Sequence, residues 1–159
     1  MAQTPALQVV AASGIAHTIH TFDSGSRNFG QSAAHSLGGD PGRIFKTLVI
    51  ELSTGKLAVC VLPVTDKLNL KLAAKAFGVP KAAMADTAAA QRATGYVTGG
   101  ISPVGQKKKL ATAIDSTAQQ HSSLFVSAGR RGLELELAPE DLASLCDAPF
   151  TQLTLDNHS

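Results

Sequence analysis

Two places in the chain set residue types together that could do chemistry. The first is the run TGGISPVGQKKK, Thr98 to Lys109, with three glycines, a serine and a proline in eight residues, then a glutamine and three lysines. Gly99 and Gly100 carry no side chain to hold a ligand off the backbone, and they can adopt conformations closed to other residues. Pro103 fixes one φ and pushes Ser102 towards an extended shape, so the segment Gly99, Gly100, Ile101, Ser102, Pro103 is stiff. Backbone N–H groups converging from a stiff loop can stabilise an oxyanion or grip a carbonyl or phosphate. A plain structural turn is the competing reading. The second place is Lys46 in RIFKTLVI. Alternation along a strand would put it on one face with Ile44, Leu48 and Ile50, a cation on an apolar face. Its ammonium could hold a phosphate or carbonyl oxygen in a cleft, or the side chain could snorkel from the strand end.

Several other chemistries are excluded. Gly100 and Gly105 have P-loop spacing, but Gln106 stands where the lysine is needed and no Ser or Thr follows to hold magnesium. The five histidines (His17, His20, His35, His121, His158) offer no HxxxH or HExxH spacing, so no metal site is expected. There is no GxSxG elbow and no evident Ser/His/Asp set. Cys60 and Cys146 lie far apart without a CxxC, and read as small buried hydrophobes in a reduced compartment.

Charge is unevenly spread in the 159 residues, whose net charge is only +2. Residues 67–109 carry eight basic side chains against Asp86 alone, whereas residues 110–159 carry two basic and seven acidic. A basic middle third is the footprint of a polyanion site, although lysines also solubilise Ala-rich helices. Lys67, Lys71 and Lys75 would share a helix face at i, i+4, i+8, and Lys107, Lys108 and Lys109 follow the glycine loop. The N-terminal residues lack the charge and apolar run of a secretory leader, and no stretch is apolar enough to span a bilayer, so a cytoplasmic protein is expected.

The elements that must position these residues follow from periodicity and punctuation. Pro5 to Ser13 reads as a helix ended by Gly14, and Ala16 to Phe22 as a strand. Gly30 to Leu37 reads as a short helix, and Arg43–Leu52 with Lys56–Val64 as a hairpin around STG. Helices are expected from Asn69 to a stop at Gly78, from a Thr87 N-cap to Thr94, and from Pro139 to Leu145. Tyr96–Thr98 reads as a short strand into the glycine loop, and residues 109–117 as extended. A second hairpin, SLFVSA and LELEL around GRRG, would put Glu134 and Glu136 on a solvated face. The sum is a single mixed-sheet domain over residues 1–159.

FKTLV around Lys46, ATGYVTGGISPVGQKK and VSAGRRGLELELAPEDL, in that order, resemble the YbaK family of aminoacyl-tRNA deacylases. That family is related to the editing domain of bacterial prolyl-tRNA synthetases. The resemblance runs from about His20 to Leu145. It implies an α/β mixed (α+β) fold, a strongly curved mixed β-sheet or barrel surrounded by helices. It also implies a trans-editing hydrolase for mischarged tRNA(Pro), chiefly the cysteinyl ester, needing no cofactor and no metal. Lys46 would position the ester, and the Gly99–Pro103 loop would polarise its carbonyl. Phe22, Phe29, Gly105 and Ser127 would line the substrate pocket, with Phe22 standing where the family often has tyrosine. The substrate's own thiol would attack the ester, so the protein needs no nucleophile. Lys67, Lys71, Lys75 and Lys107–Lys109 would meet tRNA phosphates, with prolyl-tRNA synthetase as partner in a ternary complex. Two readings compete with this one: a water-using deacylase for an alanyl or other small-residue ester, and a non-catalytic tRNA- or synthetase-binding module.

Overall fold

The computed structural model describes residues 3–21 and 41–155. Phe22, Phe29 and the helix expected at Gly30–Leu37 lie outside the described residues. Helix α1 spans Pro5–Ser13: Thr4 accepts from the Leu7 N–H as N-cap, and Gly14 ends the helix in the left-handed conformation. Strand β1 (His17–Thr21) is an edge of a three-stranded antiparallel sheet, ordered β1-β7-β6, with β6 at Leu124–Arg130 and β7 at Leu133–Leu137. A second sheet holds β2 (Phe45–Leu52), β3 (Leu57–Pro63), β4 (Ala82–Met84), β5 (Ala111–Asp115) and β8 (Phe150–Thr151), in the order β4-β2-β3-β5-β8. The β2–β3 hairpin is antiparallel, whereas β5 runs parallel to β3 and β8 parallel to β5.

The fold is mixed α+β, as expected, but the sheets do not close into a barrel. A bridge between Ile44 and Phe125 links them, beside a polar knot. There Arg43 donates to Ser123 and Glu136 while its guanidinium sits over the Phe125 ring. The Glu136 carboxyl is held below its usual range, first by the hydrogen bond from Ser123 and then by His20 and Arg43.

Parallel strands need a long crossover, and everything between β3 and β5 serves as one. It carries α2 (Leu70–Ala76), β4, α3 (Thr87–Thr94) and the glycine loop. The apolar residues divide into two clusters. One packs α1, β6, β7 and α4 (Pro139–Cys146) around Val10, Leu124, Leu135 and Leu142; the other packs α2 on Ile50, Cys60, Leu62 and Leu153.

Several elements differ from expectation for local reasons. Asp86, not Thr87, caps α3, its carboxylate accepting from the Ala89 N–H, which also suits the helix dipole. Tyr96–Thr98 is not a strand. Gly95 turns the chain in the left-handed region, Thr94 Oγ1 accepts from the Tyr96 N–H, and the tyrosine hydroxyl is pinned inside the loop. The extended stretch ends at Asp115, whose carboxylate caps a 3-10 turn at Ser116–Gln120. Lys67 precedes the Asn69 cap of α2, so only Lys71 and Lys75 ride on that helix. Strands β4 and β8 are too short, at three and two residues, to leave a readable alternation.

Glu134 is not solvated: it is 4% exposed. It sits in the middle strand of its sheet, opposite His20 on one side and Ser127 on the other, so both flanks are covered. Glu136, two residues on, is partly exposed and ion-paired.

Candidate active site

The glycine loop is held down on several sides. Tyr96 donates its hydroxyl to the Val104 carbonyl at 2.7 Å and lies near that of Gly105 at 3.3 Å. Gln106 Nε2 donates to the Ser102 carbonyl, Ser102 Oγ accepts from the Val104 N–H, and Cys146 Sγ–H donates to the Pro103 carbonyl. On the α3 side, Gln91 Oε1 accepts from both the N–H and the hydroxyl of Thr98. Backbone crowding sets the remaining limits. A Cβ on Gly100 would lie 2.9 Å from Arg130 Cα and Arg131 N in the β6–β7 turn, and one on Gly105 would lie 2.7 Å from Pro5. The stiffness read from Pro103 is therefore strengthened by contacts invisible in the sequence.

Under this loop lies a cavity of about 490 Å³ between α3, the start of β2 and the second hairpin. Gly99, Ile101, Lys46 and Ser127 all line it, brought together from the glycine loop, β2 and β6. Gly100, Ser102, Pro103 and Gly105 do not. Gly100 spends its N–H on the Val97 carbonyl, and Ser102 is fully buried beneath the loop. Gly99, in the left-handed region at φ +91°, and Ile101 are the loop residues that reach the cavity. Ser127 Oγ accepts from the Gly129 N–H across the bulge that offsets β6 from β7.

Lys46 is half-buried, and its Nζ donates to the Asp66 carbonyl at 2.6 Å. Burial lowers its pKa, with Asp66 partly opposing the shift. The ammonium is thus fixed at the cavity wall rather than free in solvent. Two lining residues escaped sequence reasoning. Thr47 lines the cavity, and its Oγ1 is buried in the wall without a hydrogen-bond partner. Glu134 lines the same cavity, and burial pushes its carboxyl up to about 8, so at neutral pH it is a proton-bearing donor. Thr47 sits inside FKTLV, beside Lys46, but nothing local distinguishes Glu134 from Glu136.

Among the described residues no Cys or His lines the cavity. Cys60 and Cys146 are buried and free, and burial pushes both thiols up to about 12, far from a reactive thiolate. Among the described residues no group of three His, Cys, Asp or Glu could hold a metal, and no helix is long and apolar enough to cross a membrane. Lys67, Lys71, Lys75 and Lys107–Lys109 are all exposed and line no part of the cavity. Lys109 pairs with Asp147 at 3.6 Å in an open surface contact worth little.

The chain thus sets a half-open, donor-lined cavity beneath a strapped glycine loop on a two-sheet α+β fold. Residues 27–145 match the model of the aminoacyl-tRNA editing domain. The chain is 44% identical over 124 residues to a protein of Enterococcus faecalis that carries the name Cys-tRNA(Pro)/Cys-tRNA(Cys) deacylase EbsC, covering 78% of this chain and 76% of that one. A crystal structure described as a trans-editing enzyme for prolyl tRNA synthetase superposes with a TM-score of 0.84 at 21% identity, over 97% of this chain and 99% of that one. The hypothetical protein APE2540 superposes with a TM-score of 0.82 at 22% identity, over 93% and 99%. The chain belongs to the aminoacyl-tRNA editing domain family, the YbaK family resembled by its motifs.

Proposed function

We propose that this protein is an aminoacyl-tRNA deacylase that clears mischarged tRNA(Pro), with the cysteinyl ester as its main substrate. The observation that carries the reading is a cavity with hydrogen-bond donors and a fixed cation, in which no Cys or His is found among the described lining residues. An aminoacyl ester is already labile, so a site that orients it and stabilises a developing oxyanion suffices. The E. faecalis relative, named for action on Cys-tRNA(Pro) and Cys-tRNA(Cys), supports the choice of amino acid.

In the step proposed, the cysteinyl sulfur attacks its own ester carbonyl carbon. The bond from that carbon to the ribose oxygen breaks, the thiol proton ends on the ribose hydroxyl, and the amino acid leaves as a cyclic thiolactone. The loop N–H groups of Gly99 and Ile101 face the carbonyl oxygen. Lys46, held by Asp66, positions the terminal adenosine or its phosphate. Thr47 Oγ1 and protonated Glu134 supply hydrogen bonds to the aminoacyl group, and Ser127 shapes the floor. Phe22 and Phe29 are assigned to the pocket by the family resemblance alone. Exposed Lys67, Lys71, Lys75 and Lys107–Lys109 meet phosphates of the acceptor stem. Prolyl-tRNA synthetase as partner is supported by the description of the trans-editing neighbour.

Trapping the product tests the step. Thiolactone released from Cys-tRNA(Pro) in single-turnover reactions is expected, whereas free cysteine as the first product would require attack by water. A water-using enzyme for alanyl esters would fit the same cavity.

A further inference from the structure

A second cavity, of about 500 Å³, adjoins the first. It opens where β3, β5 and β8 end, since Pro63 and Asp115 close the first two strands and Gln152 follows the third. These strands run parallel in sequence, and the carboxyl ends of parallel strands are where open α/β sheets gather ligands. The two cavities share a wall. Lys46 of the first donates to the Asp66 carbonyl of the second, and Phe45 of the first meets the His121 ring of the second edge-on at 6.2 Å.

The linings differ in kind. Among the described residues no Lys or Arg lines the second cavity, a lining that does not suit a phosphate. Its polar groups are the hydroxyls of Thr65, Ser116, Thr117 and Thr154, the amides of Gln120 and Gln152, His121 and two carboxylates. Asp115 is already engaged by the N–H and hydroxyl of Thr117 and by the Leu153 N–H. Gln152 Nε2 donates to the Thr154 carbonyl, which leaves its Oε1 to accept. Gln120 is exposed and lines the same cavity. Alternating donors and acceptors without cationic charge suit a neutral ring with several polar edges, a nucleobase with its ribose.

We propose that this cavity is a nucleoside subsite that takes the cytidine preceding the ester-bearing adenosine while the aminoacyl group occupies the first cavity. Every tRNA ends in CCA, so the base next to the terminal adenosine is always cytosine. Its amino group donates to the glutamine oxygen, and its ring nitrogen and carbonyl accept from amide and hydroxyl donors. The Lys46–Asp66 bond couples the two subsites, so seating the cytidine aligns the ester. The inference rests on the deacylase reading and sharpens it: the protein reads the end of the tRNA, not the ester alone.

The test compares wild type with the double variant Gln120→Ala/Gln152→Ala, both positions being exposed and therefore mild for folding. The substrates are tRNA(Pro), the same tRNA with its last cytidine replaced by uridine, and aminoacyl-adenosine, each carrying whichever of the cysteinyl or alanyl esters wild type hydrolyses faster. Wild type should prefer the natural tRNA over the uridine form by about tenfold in kcat/KM, the worth of one good base-edge pair. In the variant that preference should vanish, and the preference for tRNA over aminoacyl-adenosine should fall about as much, through KM. Equal ratios in variant and active wild type would overturn the subsite. A wild type inert on all three substrates would instead overturn the deacylase reading, and the subsite with it.

Discussion

The two cavities of this protein are nearly equal in volume, share a wall, and are built to different chemical ends. The one beneath the glycine loop is walled by apolar strand and helix residues and lined by a fixed ammonium and a buried carboxyl, with an unpartnered threonine hydroxyl buried in its wall. The one at the ends of the parallel strands is lined by hydroxyls and amides, with no cation among the described residues. On the proposed reading, the difference separates chemistry from recognition. Desolvated groups that act strongly on a carbonyl are confined to one side of Lys46, and groups suited to reading a neutral edge lie on the other. Proteins that act on a common ester but must select its carrier need both.

Removing the wall is the most severe way to break this contrast. Lys46→Ala takes away the ammonium fixed on the Asp66 carbonyl. Deacylation should fall by about 100-fold or more, the penalty for a misplaced substrate, while the circular dichroism spectrum stays unchanged. A fully active Lys46→Ala protein would remove Lys46 from the mechanism. Gly100→Ala attacks only the first cavity. The added methyl would be forced to 2.9 Å from the Arg130 and Arg131 backbone, which should cost about 1–3 kcal/mol in a denaturation series and push Gly99 out of place. Activity on tRNA and on aminoacyl-adenosine should fall together, since both esters use that cavity.

Glu134 gives the contrast a pH signature. Unfolded, its carboxyl ionises near 4.5, but in the folded protein it keeps its proton up to about 8. The folded state therefore binds more protons between those values, and its stability should decline as pH rises from 4.5 to 8, then level off. Glu134→Gln, neutral throughout, should flatten that decline by a few kcal/mol in urea midpoints compared at pH 5 and pH 8. A wild type with no more slope than Glu134→Gln would mean the carboxyl is ionised in the fold. The smallest effect belongs to the exposed lysines. Lys71→Ala with Lys75→Ala should weaken tRNA binding slightly and reduce its salt dependence by about one phosphate contact per lysine, leaving hydrolysis of aminoacyl-adenosine as in wild type.

Much of the first cavity was legible because its parts are marked by local chemistry. A cation inside an apolar strand and a proline-stiffened glycine run are unusual wherever they occur, and Lys46, Gly99 and Ile101 do line one cavity. The long helices and both hairpins followed from caps and alternation for the same local reason. What stayed hidden depends on partners distant in sequence. Glu134 alternates with leucines as a solvated residue would, and only its place between β1 and β6 buries it. Gly100, Ser102 and Gly105 look alike in a loop, yet contacts with Arg130, Val104 and Pro5 turn them into its supports. The second cavity left no motif, because hydroxyl and amide residues scattered over three segments are ordinary surface composition until the parallel strands gather them.

The measurement that bears most directly on the central claim is the rate at which the protein hydrolyses tRNA(Pro) charged separately with cysteine, alanine, serine and proline, at matched enzyme concentration. The cysteinyl ester should disappear well ahead of the other three and the prolyl ester should persist. Survival of all four esters alongside measurable tRNA binding would contradict the account and leave a binding module in its place.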